Sequence, residues 1–82
     1  MLNRQEVYEF SKNSSEKVKV ALGEYRGMEM VDIRVYYNAD EAKDEWKPSK
    51  KGITMRTDLI PELIKALDKA INVRKSLIGK AI

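Results

Sequence analysis

The sequence contains no cysteine and no histidine. Disulfides are thereby excluded, and a zinc or iron site would have to be assembled from carboxylates alone, against the preference of those metals for nitrogen and sulfur ligands. No metal and no cofactor is expected. Nucleophilic and general acid–base sites draw most often on the same two missing residue types, and the 13 acidic residues are scattered along the chain, so the chain reads as a non-enzyme. No basic-then-apolar leader opens it, and no apolar run approaches the ~18 residues that cross a bilayer. The expectation is an intracellular soluble protein, in cytoplasm or nucleoid, or in the nucleus of a eukaryote.

Length is the next shortage. Eighty-two residues make one domain, and a chain of this size buries only roughly 60–65% of its unfolded surface. Without disulfides or metal, oligomerisation is the expected source of further buried surface.

What the chain does have is segregated charge. The net charge is +3, a mild excess, but residues 38–46, NADEAKDEW, carry four acids against one lysine, whereas residues 47–56, KPSKKGITMR, carry Lys47, Lys50, Lys51 and Arg56 with no acid.

Periodicity supplies the elements. In NRQEVYEFSK (3–12) Val7 and Phe10 lie three apart behind Asn3, a candidate N-cap, and Glu6, which predicts a short helix or an arm; KNSSEK (12–17) reads as a linker. Residues 1–16 are thus an N-terminal extension and 17–82 the folded domain. From Lys17 the period becomes two, with Val18, Val20 and Leu22 alternating with Lys17, Lys19 and Ala21, and GEYRG (23–27) supplies a turn. A second strand runs from Met28 to about Tyr37, with Val31, Ile33 and Val35 on one face and Met30, Asp32, Arg34 and Tyr36 on the other. The acidic stretch is a loop. Trp46 begins a short third strand that Pro48 confines to an edge or a bulge, and Gly52 turns the chain into a fourth, ITMR. Thr57 or Asp58 then caps a long amphipathic helix with Pro61 in its first turn. Its stripe of Ile60, Leu63, Ile64, Leu67, Ala70 and Ile71, continued by Leu77 and Ile78, is too wide for one small sheet, so a second copy of the helix is expected against it. The order predicts an α+β fold: a four-stranded antiparallel sheet, covered on one face, followed by a C-terminal helix.

The uncovered face gathers Lys17, Lys19, Arg34, Tyr36 and the lysines of KPSKK. Taken singly, these lysines are ordinary solvated side chains, and Tyr36, Tyr37 and Trp46 are ordinary packing residues. As a cluster they match what a single-stranded nucleic acid requires: cations along the phosphates and aromatic faces for the bases, each stack contributing about 1–3 kcal/mol.

DIRVYY (32–37), an acidic loop, WKPSKKGITM (46–55) and a capped amphipathic helix together resemble the positive cofactor four family of single-stranded DNA-binding proteins and transcriptional coactivators, over about residues 17–76. The resemblance is to the DNA-binding core and to the compact bacterial and phage versions, without the serine-rich acidic tail of the eukaryotic coactivators. It implies a twisted four-stranded sheet with one helix, dimerisation through the helices, and single-stranded DNA across the sheet faces. By position it places stacking aromatics at Tyr25 and Tyr37 and phosphate-binding cations at Arg26, Arg34, Lys47, Lys50 and Lys51; Lys17, Lys19 and Trp46 complete the expected binding set. The chain departs from the family pattern at Tyr37, where tryptophan is common, at Met28, where a basic residue is expected, and at Ser49, where glycine is. Strict alternation also sets Tyr37 on the face opposite Arg34 unless the strand end twists or bulges. Roles in transcription, replication, recombination or repair all follow from the resemblance. The competing expectation is an adapter whose helix and N-terminal segment dock a polymerase, helicase or nuclease.

Overall fold

In the computed structural model the backbone of residues 1–81 and the side chains of residues 1–77 are described. Four strands, β1 (Leu2–Asn13), β2 (Glu16–Tyr25), β3 (Met28–Asp40) and β4 (Glu45–Arg56), form one antiparallel sheet in the order β1-β2-β3-β4, and α1 (Ile60–Ala81) follows. The α+β class and the sheet-then-helix order agree with the sequence. The two central strands, β2 and β3, also fall where the sequence places them, whereas the first and last do not.

The segment expected to be a short helix or arm is the first strand. Gln5, Tyr8 and Phe10 stand opposite Leu22, Val20 and Val18, while Glu6, Glu9 and Ser11 stand opposite Ala21, Lys19 and Lys17. A register shift between Glu6 and Tyr8 leaves Val7 as an extra residue, and that break in the period of two gave Val7 and Phe10 their helix-like spacing. An isolated helix of this length is marginal, whereas as a strand the segment pairs with β2 from Leu2 to Asn13, with register shifts along the way. The expected linker is a tight hairpin turn at Ser14–Ser15. Asn13 Oδ1 accepts from the Ser15 backbone N–H and hydroxyl at 3.0 and 3.2 Å, and Ser15 O accepts from Asn38 N at 3.1 Å.

The two short strands expected around KPSKKG are one strand, β4. Gly52 is not a turn. It pairs with Arg34, and a Cβ there would sit 2.6 Å from the Ile33 carbonyl oxygen, so glycine is needed because two backbones approach closely. Between the pairs Arg34–Gly52 and Tyr36–Pro48 the single residue Val35 opposes Ser49, Lys50 and Lys51, a wide bulge. Ser49 Oγ donates to Val35 O at 2.8 Å and accepts from Lys51 N at 3.1 Å, which pins it. The acidic loop shrinks to a 3-10 turn, Glu41–Lys43, with the Asp40 side chain capping Ala42 N at 3.1 Å and Asp44 at φ 51° closing it.

The expected cover of one sheet face by the helix is also corrected. α1 touches the rest of the chain mainly through the 3-10 turn Thr57–Leu59 before it, and Ile64, Leu67, Ile71 and Leu77 are about half exposed or more. The sheet face carrying Val18, Val20, Leu22, Val31, Ile33 and Ile53 therefore lacks a helix of its own chain above it. Among the described residues only Ala21, Gly23, Val31, Asp32 and Tyr36 are buried. The Cα radius of gyration is 15.8 Å, against about 12 Å for a compact chain of this length. Ile78, expected on the stripe, lies outside the described side chains.

Candidate nucleic-acid interface

β2 and β3 pair without a break from Glu16–Tyr37 to Tyr25–Met28, so alternation sorts their side chains cleanly. One face receives Lys17, Lys19, Ala21 and Tyr25 from β2 and Asp32, Arg34 and Tyr36 from β3. β4 adds Trp46 and Thr54, and β1 adds Arg4, Glu6 and Glu9, through the contacts below. The other face receives the valines, Leu22 and Ile33, and with them Tyr37.

Asp32 is the polar centre of the first face. Its buried carboxylate accepts from Arg34 Nε and Nη2 at 3.2 and 2.9 Å and from Thr54 Oγ1 at 2.8 Å. Burial alone would raise its pKa; hydrogen bonds from Arg34 and Thr54 and the charge of Arg34 outweigh burial and hold the carboxyl below its ordinary value. The same bond to Asp32 raises the Arg34 pKa. Arg34 Nη1 donates to Ser49 O at 3.1 Å, so this guanidinium ties the centre of β3 to the lysine-bearing bulge. Arg4 Nη2 lies 3.5 Å from Asp32 Oδ2.

Around this centre cations and aromatics alternate. Lys19 Nζ sits 4.6 Å from the Tyr36 ring centroid, with the Arg4 guanidinium carbon 5.6 Å from the same ring, and Lys17 Nζ sits 4.3 Å from the Trp46 ring. The Arg26 guanidinium carbon lies 5.1 Å from the Tyr25 ring. Trp46 is oriented by its indole N–H, which donates to Asp44 Oδ1 at 2.8 Å. A groove of about 430 Å³ runs between Arg4, Tyr25, Met30, Asp32, Arg34 and Thr54, roomy enough for an unstacked base.

Of the residues singled out from sequence, Lys17, Lys19, Tyr25, Arg34 and Trp46 thus share one face. Arg26 projects from the end of the sheet, in a two-residue turn where Arg26 (φ 52°) and Gly27 (φ 79°) both take the left-handed conformation. Lys50 and Lys51 sit exposed on the bulge and, among the described residues, make no ion pair. Tyr37 and Lys47 are cross-strand partners on the opposite face; the bulge that could have moved Tyr37 lies in β4, and β3 stays regular against β2. Arg4, Glu6 and Glu9 went unseen because their segment was read as a helix. The complementary charges that flank the NSS turn, Glu9 with Lys17 and Lys12 with Glu16, were the available signal of a hairpin. Among the described residues no group of three or more acids is placed to hold a metal, and no helix is long and apolar enough to cross a membrane.

An open sheet with interleaved cations and aromatics on one face and a loosely attached amphipathic helix defines a surface-binding domain. The particular family follows from comparison: the model of the transcriptional coactivator p15 (PC4) family matches residues 12–66, and the chain belongs to that family. The RNA polymerase II transcriptional coactivator SUB1 of Saccharomyces cerevisiae is 37% identical over 59 residues, which is 72% of this chain and 18% of that protein, so the chain spans under a fifth of the length of that relative. BPSL1147, a PC4 homolog from Burkholderia pseudomallei K96243, superposes with a TM-score of 0.74 at 22% identity over 83% of this chain and 97% of its own. The bacteriophage T5 homolog of the eukaryotic transcription coactivator PC4, implicated in recombination-dependent DNA replication, superposes with a TM-score of 0.67 at 24% identity over 93% of this chain and 85% of its own. At these identities the structural likeness establishes the fold.

Proposed function

We propose that this chain is a non-catalytic, sequence-tolerant single-stranded DNA-binding subunit that works as a homodimer. One observation carries the reading: Lys17, Lys19 and Arg34 share a sheet face with Tyr25, Tyr36 and Trp46, while the opposite face is apolar. Cations of that face and of the Lys50–Lys51 bulge neutralise phosphates, and exposed aromatic surface receives bases. Because phosphate contacts carry no direct sequence information, binding is sequence-tolerant. The stripe Ile60, Leu63, Ile64, Leu67 and Ile71, of which the last three are about half exposed, is the dimer surface, since a chain this short is marginal when folded alone. The roles of the relatives, transcriptional coactivation and recombination-dependent DNA replication, are the processes in which this chain would serve.

Titration of a labelled oligonucleotide tests the reading. Expected is sub-micromolar binding that weakens as salt rises, stronger for single-stranded DNA than for duplex; absence of binding at low salt refutes it. The exposed α1 stripe favours a second reading, an adapter docking a replication or transcription protein. A chain that is monomeric in solution and fails to bind single strands supports that reading instead.

A further inference from the structure

The lysines of the binding face are already engaged. Lys17 Nζ lies 3.1 Å from Glu9 Oε2 while covering Trp46, and Lys19 Nζ lies 3.3 Å from Glu6 Oε1 while covering Tyr36. The arrangement is the same twice: a β1 carboxylate, a β2 lysine and an aromatic of β3 or β4. Glu6 holds a second cation, Arg4 Nη1, at 3.3 Å, and Arg4 covers the same Tyr36 ring. Both carboxylates are much more exposed than the lysines they hold, 42% and 47% against 15% and 28%, so they lie on the solvent side, where an incoming polyanion would arrive. They sit in β1 ahead of residue 12, outside the segment matched by the family model.

We propose that Glu6 and Glu9 act as built-in stand-ins for phosphate, occupying Lys17 and Lys19 in the free protein so that a nucleic acid must displace them. The inference rests on the proposed binding of single strands to this face. Binding is then an exchange in which a phosphate oxygen replaces the carboxylate and the lysine swings off its ring, uncovering Trp46 for a base. Exposed ion pairs are weak, so the exchange is readily reversible. The freed carboxylates recruit solution cations, which offsets part of the counterion release that drives binding.

The test is oligonucleotide titration of wild type, Glu6→Gln, Glu9→Gln and the double variant across a salt series, with thermal unfolding to confirm folding and with the emission of Trp46, the single tryptophan, as a second readout. Each substitution should tighten binding about two- to fivefold, the size of an exposed charge interaction, and the double variant should show a steeper salt dependence. In the absence of DNA, Glu9→Gln should change the Trp46 emission by loosening Lys17, whereas Glu6→Gln should leave it unchanged. Unchanged affinity in folded variants overturns the proposal, as does weaker binding, which would make the carboxylates supports that aim the lysines. If wild type and variants alike fail to bind, the parent reading falls and this one with it; wild-type binding without a gain removes this one alone.

Discussion

Arg34 and Asp32, two residues apart on β3, are joined by a two-pronged pair, with Nε to Oδ2 at 3.2 Å and Nη2 to Oδ1 at 2.9 Å. The remaining prong of the guanidinium reaches the Ser49 carbonyl. Arg34 is thus a bracket for the bulge as well as a cation of the face, and the DIR run owes its form to this pair.

The pair sets an acid limit. Asp32 has a folded pKa depressed below its ordinary 3.8, so its stabilising contribution is present above the unfolded value and is lost as pH falls through the folded one. Stability measured by denaturant titration should fall as pH drops below about 4. In Asp32→Asn the neutral-pH stability should be lower by about 1–3 kcal/mol, for a partly buried pair broken on one side, and the acid-dependent loss should shrink.

Arg26 separates binding from stability. A non-glycine residue at φ 52° carries a conformational cost that asparagine or glycine tolerates better in a two-residue hairpin turn. Arg26→Gly should raise the melting temperature, by up to about 1 kcal/mol of stability, while weakening oligonucleotide binding through loss of a cation beside Tyr25. A variant that is destabilised, or that binds as wild type, contradicts this role.

The two sheet faces are distinguished by Trp46 and Tyr37. Trp46→Ala should weaken binding by about 1–3 kcal/mol with little change in salt slope, since stacking releases no counterions. Tyr37→Ala, on the apolar face, should instead lower stability or dimer affinity and leave binding by the intact dimer nearly unchanged. The reverse result would restore Tyr37 as a stacking residue.

Lys50→Ala with Lys51→Ala tests the bulge. If each lysine neutralises one phosphate, the log–log salt slope should lose about 1.4 in magnitude, at about 0.7 per phosphate on a single strand, equally for oligonucleotides of different sequence. An unchanged slope would make the bulge a solvated edge.

Leu67→Asp tests the helix. It places a charge in the stripe expected at the dimer surface and should convert the chain to a monomer by sedimentation at tens of micromolar, with weaker binding through lost bivalency. A monomeric wild type at that concentration refutes the dimer.

The sequence by itself determined what local period and chemistry dictate. The run from Met28 to Tyr37 alternates without interruption, so its faces, and the place of Arg34 on the polar one, were legible. So was the helix after Asp58, from its spacing and from Pro61. The absence of cysteine and histidine excluded disulfides and the usual metal and nucleophile chemistry. Pairing across the sheet decided the rest, because a strand broken by a bulge loses the period that announces it. Val7 masked β1 as a helical turn, and the Ser49–Lys51 bulge split β4 into two apparent strands around a glycine that in fact serves a close backbone approach. Family likeness carried a stacking role to Tyr37, whereas the regular β2–β3 register turns Tyr37 away and turns Tyr36 toward the lysines. Arg4, Glu6 and Glu9 joined the site only once β1 was laid beside β2, since a side chain's neighbours across a sheet are set by register, which depends on residues distant in sequence.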